Sequence, residues 1–408
     1  MLDWTEVQQQ IQRMAQEQVQ VTAEREDKLS LALERVARYG EEGWLALAAK
    51  IAGSRTSWLV AELTAPLTTR VSAPPCPRPL SVLAADGSQI FPDRHESVPC
   101  YLLNIGRVAL HYGQEQRPLL DSRAYLGYRE QDVYQFWGGQ RILVTPEVVA
   151  ARRKVREFEA LADLAEKQNT GAPRVALTDG SLIMWGLESK PSDFQQEVLH
   201  SLLRALSRLR KQRVPVVGYI SRPASADVIY ALRVGDCDQE RANCDRCPHL
   251  PARMRNGRPV QLTLSRYALE VLPCATVEGL TDEMLFGAYL EPGERTAVFH
   301  SQSRILQHYG EHAVDFFYLQ VGTEVTRLEV PRWVSEERTL LELVHAAVLD
   351  QVEKGGGYPV ALTEAHEQAV LRTADREMFL HLLERAFVGR GLAAPLSPKG
   401  LSKRRPRI

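Results

Sequence analysis

The sequence of 408 residues lacks any apolar run that approaches the ~20 residues needed to cross a bilayer. The segment from Met1 to Gln20 is polar and has no apolar core of the kind that a secretory signal needs. Six cysteines in a chain of this length are too few for a disulfide framework, so a cluster of them indicates metal binding first. We therefore expect a cytoplasmic protein without membrane contact.

The sequence also has almost no net charge, because 50 basic and 51 acidic side chains leave a formal charge of -1. Any surface that binds DNA must then come from local clusters of basic residues. One cluster surrounds a predicted helix end and the other lies in the C-terminal tail: Arg204, Arg208, Arg210, Lys211 and Arg213 in the first, and Lys399, Lys403, Arg404, Arg405 and Arg407 in the second. Each is also consistent with a solvated helix face or chain end.

What the sequence contains is typical of a globular protein, with 44% hydrophobic and 25% charged residues. Apolar residues at helical spacing predict a helical N-terminal region over residues 1–72, which ends before a proline-rich stretch. Strands interleaved with helices then predict an α/β domain over residues 80–390, with a mixed sheet flanked by helices. A cysteine-containing insertion at 235–275 and a basic tail at 391–408 complete the predicted organisation.

Hydrophobic patterns also predict the individual elements of this domain. Strands are expected at 81–85, 101–110, 141–144, 174–178, 214–220, 314–321 and 324–330, and helices at 146–168, 195–211 and 340–354, with a final helical pair after Pro359.

The tripeptide Asp-Gly-Ser occurs twice, at Asp86 and at Asp179, each time directly after an apolar run. Asp-Gly between extended segments is a common hairpin turn, which is the simpler interpretation of each. Both aspartates nevertheless fall at the predicted carboxyl end of a buried strand, where open α/β sheets build their sites. Two carboxylates on neighbouring strands suit a hard cation such as Mg²⁺ or Mn²⁺.

Two further candidates lie on predicted helices. Glu159 falls on or beside the buried stripe of its helix, and Glu157 is nearly as plausible. A carboxylate facing a core is costly unless it is paired or binds metal, although a solvated position at the stripe's margin would explain Glu159 equally well. His366 shares a helix face with Leu362, where a packed core histidine is the simpler interpretation.

These signals, in this order, resemble the NurA nucleases. The resemblance runs from about residue 80 to about 385 and is carried by short motifs: Asp86-Gly-Ser-Gln, the glutamate helix, Leu177-Thr-Asp179-Gly-Ser-Leu182, Gly218-Tyr219-Ile-Ser221-Arg222, Phe316-Phe317-Tyr318 through Arg327 and Glu329 to Trp333, and Gly357-Tyr358-Pro359 to Ala365-His366.

The resemblance implies a ribonuclease-H-like core, a homodimer, and action with a hexameric HerA-type translocase on DNA ends in double-strand break repair. It implies cleavage that depends on Mn²⁺ or Mg²⁺, with Asp86, Asp179 and a helix glutamate as metal ligands. Glu159 is the preferred glutamate and Glu157 the alternative, while His366 becomes a further metal ligand or an acid–base group. Arg222, just after a strand, would neutralise the scissile phosphate, or else form a surface ion pair.

The cysteine cluster is separate from these residues. Cys237, Cys244, Cys247 and Cys274 offer four thiols with one Cys-x-x-Cys spacing, which fits structural zinc or an iron–sulfur cluster. Reduced, unligated cysteines are the alternative. For the whole chain, the alternatives to a metal-dependent DNA nuclease are a non-catalytic subunit that binds DNA ends and a ribonuclease of the same fold.

Overall fold

The structure is a computed structural model that describes residues 2–91, 99–137, 139–249, 254–255, 258–259 and 272–392. Within these residues, no helix is long and apolar enough to cross a membrane. The basic tail from residue 393 onwards, and residues 260–271 of the predicted cysteine-containing insertion, lie outside the described residues.

The chain divides into two compact units, each assembled from three separate segments. The first unit comprises Met1–Ala73, Ile220–Leu306 and Val314–Glu329. The second comprises Pro74–Tyr219, Gln307–Ala313 and Val330–Ile408.

In the described residues, the α-helices are α1 (Trp4–Arg38), α2 (Trp44–Ala52), α3 (Glu130–Val133), α4 (Pro146–Lys167), α5 (Ser192–Lys211), α6 (Asp227–Asp236), α7 (Asp282–Gly287), α8 (Arg332–Ser335), α9 (Arg338–Lys354), α10 (Val360–Ala369) and α11 (Thr373–Val388). The strands are β1 (Glu62–Leu63), β2 (Arg70–Val71), β3 (Leu80–Ile90), β4 (Tyr101–Tyr112), β5 (Leu119–Gly127), β6 (Tyr134–Trp137), β7 (Gln140–Leu143), β8 (Arg174–Asp179), β9 (Val216–Ile220), β10 (Met254–Arg255), β11 (Arg258–Pro259), β12 (Arg295–Thr296), β13 (Phe299–His300), β14 (Val314–Gln320) and β15 (Val325–Pro331).

The first unit buries the C-terminal part of α1. Ala32 and Val36 join a core that includes Phe286 of α7 and Phe316 of β14. Leu29, Leu33 and Trp44, on the apolar stripes predicted for the N-terminal region, also pack against this core. Burial of these side chains ties the N-terminal helices to their own chain.

The second unit is built on a mixed sheet in the order β9-β8-β3-β4-β5. Strands β3 and β8, and β8 and β9, run parallel, whereas β3, β4 and β5 form an antiparallel meander. Helices flank this sheet: α4 packs on β3, and α10 packs on β3 and β4. This arrangement confirms the predicted α/β fold with a mixed sheet flanked by helices.

The helix positions follow from local sequence. Pro146 occupies the first turn of α4, where its missing N–H would have no partner in any case. The predicted range of 146–168 agrees with the observed α4, which ends at Lys167. The predicted strand at 81–85 is much longer in the structure, where β3 continues to Ile90.

Candidate active site

Asp86 and Asp179 occupy adjacent positions on neighbouring parallel strands. Ala85 of β3 pairs with Thr178 of β8, so the aspartate that follows each is next to the other across the ladder. Because residues in register on a sheet point to the same face, the two side chains belong to one side of the sheet. The second unit therefore provides the carboxylate pair that the two motifs predicted.

The two Asp-Gly pairs differ in backbone structure. Strand β8 ends at Asp179, and Gly180 follows with a φ of 79°, a turn conformation that favours glycine. Asp86, by contrast, lies within β3 and pairs with Gly106 of β4. The prediction that both aspartates end their strands is thus wrong for Asp86, and so is the hairpin-turn interpretation there. The parallel pairing of β3 with β8 ends just before Asp86, at Ala85, whereas the antiparallel pairing of β3 with β4 continues to Ile90.

Tyr358 holds the Asp179 carboxylate. Its hydroxyl donates a hydrogen bond to Asp179 Oδ1 at 3.0 Å, and its ring meets that of Tyr219 edge-on with centroids 5.3 Å apart. Burial, followed by the negative charge of Asp179, raises the pKa of Tyr358 above its ordinary value. The phenol therefore stays protonated at neutral pH and remains a hydrogen-bond donor to the carboxylate.

His366 reaches Asp86 from helix α10. Its Nδ1 lies 2.9 Å from Asp86 Oδ2, and the imidazole is 62% exposed, so its other edge is open to solvent or substrate. The sequence-based alternative, a packed core histidine, does not hold for His366, because its ring contacts an aspartate and is exposed. The predicted convergence of His366 with a strand aspartate is present in the structure.

A glycine allows α10 to come this close. A Cβ at Gly106 would lie 2.2 Å from the Ala365 carbonyl oxygen, so only glycine lets the helix rest on β4 here. The last carbonyl of the helix, that of Ala369, accepts hydrogen bonds from the side chains of Ser88 and Asn104. These hydrogen bonds satisfy a carbonyl group that has no partner within the helix, and they hold α10, with His366, in position over Asp86.

Glu157 of α4 is buried beside the same strand. Only 3% of the residue is exposed, and a Cβ at Gly87 would lie 2.8 Å from its Oε1. Its carboxylate has Arg153 at 3.3 Å and Lys154 at 3.4 Å. Burial raises the pKa of Glu157; the two cations oppose this effect and the charge of Asp86 adds to it. Glu157 is therefore an acidic group within electrostatic reach of Asp86.

Lys154 joins Glu157 to strand β8. Its ammonium donates to the Asp179 carbonyl oxygen at 2.7 Å and to Thr178 Oγ1 at 2.8 Å. Glu157 Oε1, in turn, accepts no hydrogen bond among the described residues despite the nearby Arg153. A buried carboxylate oxygen without a hydrogen-bond donor is unusual, and its charge is balanced here by the Arg153 guanidinium at 3.3 Å.

The other sequence candidates lie elsewhere. Glu159, the glutamate preferred from the sequence, forms ion pairs with Arg156 at 2.8 Å and Arg204 at 3.6 Å. Arg222 belongs to the first unit, adopts a φ of 43°, and lies 3.7 Å from the Glu324 carboxylate. Arg222 thus has the surface ion pair that was its alternative interpretation.

The four cysteines of the first unit form no disulfides. Burial raises the pKa of the Cys244 thiol, the Ser57 backbone opposes this, and the charges of Cys274, Cys247 and Cys237 add to it. The other three cysteines thus act electrostatically on Cys244. Within the described ranges, however, no group of three or more His, Cys, Asp or Glu side chains is already arranged to hold a metal ion.

Three residues of the site carried signals that the sequence interpretation did not use. Tyr358 lies in the motif Gly357-Tyr358-Pro359, which resembles the NurA family, but the sequence alone gave it no role. Lys154 precedes Glu157 by three residues, a spacing that brings two side chains together on a helix. Gly106 lies in the middle of a predicted strand, which is typical of a close backbone approach.

The NurA domain family matches residues 80–371, well over half of the chain. The chain therefore belongs to the NurA family, which confirms the resemblance found in the sequence. Nuclease, the predicted class of activity, is supported at this level. Among curated proteins, none matches the chain.

Solved structures are similar along most of the chain at low identity. The crystal structure of the NurA nuclease from Sulfolobus solfataricus matches with 11% identity and a TM-score of 0.43, covering 92% of this chain and 98% of that one. A crystal structure of NurA with manganese matches with 14% identity and a TM-score of 0.35, covering 92% and 97%. The catalytic domain of human endonuclease V matches with 16% identity and a TM-score of 0.31, covering 76% and 85%.

Proposed function

We propose that this protein is a divalent-metal-dependent DNA nuclease whose active site is formed by Asp86, Asp179, Glu157 and His366. The observation that carries the proposal is the register of β3 and β8, which sets two carboxylates side by side. Neighbouring carboxylates repel each other when both are charged, so a cation bound between them would be favoured. The membership of the chain in the NurA family supports phosphodiester cleavage as the class of reaction.

The residues fit a hard cation by their donor chemistry. Carboxylate oxygens are the ligands that Mg²⁺ and Mn²⁺ prefer, and the Glu157 Oε1 atom lacks a hydrogen-bond donor among the described residues. Asp86 and Asp179 would hold the metal from one face of the sheet, with Glu157 against Gly87 on the α4 side adding its negative charge, and a similar protein was crystallised with manganese. We assign Glu157 in place of Glu159 because Glu157 lies against Gly87, next to Asp86, and the charge of Asp86 acts on it, whereas Glu159 forms ion pairs with Arg156 and Arg204.

When bound, the metal would supply an activated water and stabilise the leaving oxygen of the phosphodiester. The chain's own groups orient the carboxylates: Tyr358 donates to Asp179, and Lys154 binds the carbonyl oxygen of the same residue. His366, hydrogen-bonded to Asp86 and open on its other edge, is placed to exchange a proton with the substrate.

Cleavage of end-labelled DNA in Mn²⁺ or Mg²⁺ tests the proposal. Asp86→Asn and Asp179→Asn each preserve side-chain volume. Loss of a residue that only hydrogen-bonds to a metal ligand typically lowers activity by roughly 10–100-fold, and each of these variants should lower the cleavage rate by more than that. Asp193→Asn, an exposed aspartate in the first turn of α5, is the matched control and should cleave normally. Normal cleavage by either site variant would refute the assignment.

The same assay separates the two alternative functions. A non-catalytic subunit that binds DNA ends would show binding without metal-dependent cleavage by the wild-type chain. A ribonuclease would cleave labelled RNA in preference to DNA of the same sequence. We favour DNA because the family resemblance points to DNA-end processing in double-strand break repair.

We further infer a homodimer that works with a hexameric HerA-type translocase on DNA ends. The balanced net charge supports this, because a chain with little attraction for DNA needs its substrate delivered. The N-terminal half of α1 offers a contact surface, since Trp4, Ile11, Met14 and Val19 are exposed there. Light scattering tests the dimer, which should have twice the 45.9 kDa mass of the chain. A monomer mass at micromolar concentration would contradict it.

For the cysteines, we propose a structural zinc ion or iron–sulfur cluster held by Cys237, Cys244, Cys247 and Cys274. Support comes from their mutual electrostatic effect and from the Cys-x-x-Cys spacing. Elemental analysis of purified protein should find about one zinc, or several iron atoms and sulfide, per chain. Cys247→Ser should lose that metal, whereas Cys76→Ser, outside the cluster, should retain it. Metal-free wild-type protein would leave the thiols as reduced cysteines.

A further inference from the structure

The second unit contains a cavity that the carboxylate site does not use. It has a volume of about 480 Å³ and is lined by residues of β4, β5, α3, α4 and α5 and of the segment between β5 and α3. Its lining includes three tyrosines and three arginines: Tyr101, Tyr125, Tyr128, Arg129, Arg152 and Arg156. This size is within the range of small-ligand pockets.

The wall of the cavity is held in place by specific contacts. Gly127 has no side chain, and a Cβ there would lie 2.3 Å from the Tyr101 ring, so the ring rests on the backbone of β5. Arg152 donates to the Gln131 carbonyl oxygen at 2.9 Å, which fixes its guanidinium at the rim. The Arg156 guanidinium lies 4.8 Å from the centre of the Tyr125 ring and covers one face of it.

The charges of the lining balance each other. Arg156 pairs with Glu159 at 2.8 Å, and Arg152 lies 3.6 Å from Glu197. With Asp132 and Arg129, the lining holds three acidic and three basic side chains. A balanced pocket has little attraction for a polyanion as such, but its donors, acceptors and aromatic faces suit the edge and the face of one nucleobase.

The mouth of the cavity exposes surface suited to stacking. Two large hydrophobic side chains are solvent-exposed there, with Tyr128 59% exposed and Leu126 45% exposed. Arg129, next to Tyr128, is also exposed. An aromatic ring beside a cation is the arrangement with which proteins bind a base together with its phosphate.

Helix α4 connects this cavity to the carboxylate site. Arg156 lines the cavity, while its neighbour Glu157 contacts Gly87 beside Asp86. Tyr101 and Leu103 line the cavity and alternate along β4 with Asn104 and Gly106, which face α10, so the cavity lies on the α4 face of the sheet together with Glu157. A nucleic-acid strand bound near Glu157 can therefore place a nucleotide in the cavity.

We propose that this cavity binds an unpaired nucleotide of the substrate strand, with its base stacked on Tyr128 and Tyr125 and its phosphate near Arg129. The proposal rests on the proposed nuclease function and specifies its substrate, a strand with an unpaired segment. A paired base is excluded because its faces are covered by its neighbours in the duplex.

Fluorescence anisotropy with a short fluorescein-labelled oligo(dT) tests the proposal, with EDTA present and Asp179→Asn in the full-length chain to prevent cleavage. Tyr128→Ala, alone and with Tyr125→Ala, should raise Kd by about five- to a hundredfold per lost stacking contact. Tyr128→Phe keeps the ring and should restore binding. Phe136→Ala removes an equally exposed aromatic side chain outside the cavity and should leave Kd unchanged.

Three results would overturn the proposal: an unchanged Kd in the double tyrosine variant, an equal loss in Phe136→Ala, or equal affinity for a blunt duplex. Competition by dTMP as strong as by the oligonucleotide would instead assign the cavity to free nucleotides and refute a strand subsite. The readout is binding, so it remains valid if the wild-type chain fails to cleave DNA. A lack of cleavage would refute the proposed function separately.

Discussion

Gly87 and Glu157 show how a single missing side chain shapes the carboxylate site. A Cβ at Gly87 would meet Arg153 Cγ at 2.7 Å and Glu157 Oε1 at 2.8 Å, both closer than real contacts allow. Glu157 is already buried between Arg153 and Lys154, so it has little room to move. The glycine therefore sets how near this carboxylate lies to β3.

We predict that Gly87→Ala lowers the rate of DNA cleavage on the order of a hundredfold, because small displacements of catalytic groups have effects of that size. The protein should still fold, since β3 is extended and accepts alanine at this position. Gly287→Ala is the control, because the nearest atom to its new Cβ would be 3.9 Å away. Wild-type cleavage by Gly87→Ala would show that Glu157 has no part in the reaction.

The sequence predicted Asp86, Asp179 and His366 as one site and preferred Glu159, with Glu157 as the alternative. The reason lies in the burial of α4, where Val155, Glu157, Phe158, Leu161 and Leu164 are all inaccessible. A helix buried over such a wide arc has no narrow apolar stripe, so spacing alone cannot select the inward glutamate. The partners that distinguish the two come from contacts distant in sequence, such as the pairing of Glu159 with Arg204.

At the level of elements, the docking of α10 on β4 determines where His366 lies. Gly106 allows the approach, and the side chains of Ser88 and Asn104 bind the end of the helix. At the other end, the Ala361 amide donates to Gln351 Oε1 at 3.2 Å, so both termini of α10 are anchored. His366 is thus positioned by contacts along the whole helix.

We predict that Gly106→Ala both destabilises the protein and impairs cleavage. The new Cβ would lie 2.2 Å from the Ala365 carbonyl oxygen and 2.7 Å from the Ala369 amide nitrogen, so the helix backbone must move. Overpacking of this kind costs about 1–3 kcal/mol of unfolding free energy, measured by urea denaturation. The rate of DNA cleavage, measured without urea so that the variant is fully folded, should fall as well, because His366 moves with α10.

Gly53→Ala provides the comparison, since its nearest contact would be an ordinary 3.6 Å. Loss of stability in Gly106→Ala without loss of cleavage would mean that the position of His366 is unimportant for the reaction.

Element positions were predictable where the pattern is local. The observed α4 and α9 agree closely with the predicted ranges 146–168 and 340–354, because both have clear end signals, Pro146 in the first turn of α4 and Gly355 directly after α9. The extension of β3 through Asp86-Gly87-Ser88 was not predictable, because these residues resemble a turn. Its cause is the partner strand: β4 pairs with β3 all the way to Ile90 and overrides the local turn preference.

For the molecule as a whole, the division into two units, each made of three segments, is the feature that sequence patterns reached least. Composition and proline placement predicted a helical region that ends at residue 72, and the first segment of the first unit runs to Ala73. Nothing local shows that residues 220–306 join that segment. Phe286 and Phe316 pack there against α1 residues distant in sequence, through contacts that only the fold brings together.

Acid stability of the second unit depends on a buried histidine outside the catalytic site. His312 is 3% exposed, and its Nε2 lies 2.9 Å from Ser207 Oγ. Burial, followed by the positive charge of Arg210, lowers the pKa of His312 to about 4. Glu311, 3.5 Å from the ring, is half-exposed and does not compensate.

We predict that His312 makes the protein less stable as the pH falls. An imidazole with a folded pKa of about 4 and an unfolded pKa near 6.5 contributes stability that is complete above pH 6.5 and is lost between about pH 6.5 and 4. At pH 5 the loss from this group alone is about 2 kcal/mol relative to pH 7.5, since each pKa unit corresponds to about 1.4 kcal/mol. Urea denaturation at the two pH values measures this loss of unfolding free energy.

His312→Asn should reduce the difference by that amount, whereas His200→Asn, which changes an exposed histidine on α5, should not. An unchanged pH dependence in His312→Asn would mean that the acid sensitivity has its origin elsewhere, in the carboxylates that the fold keeps ionised.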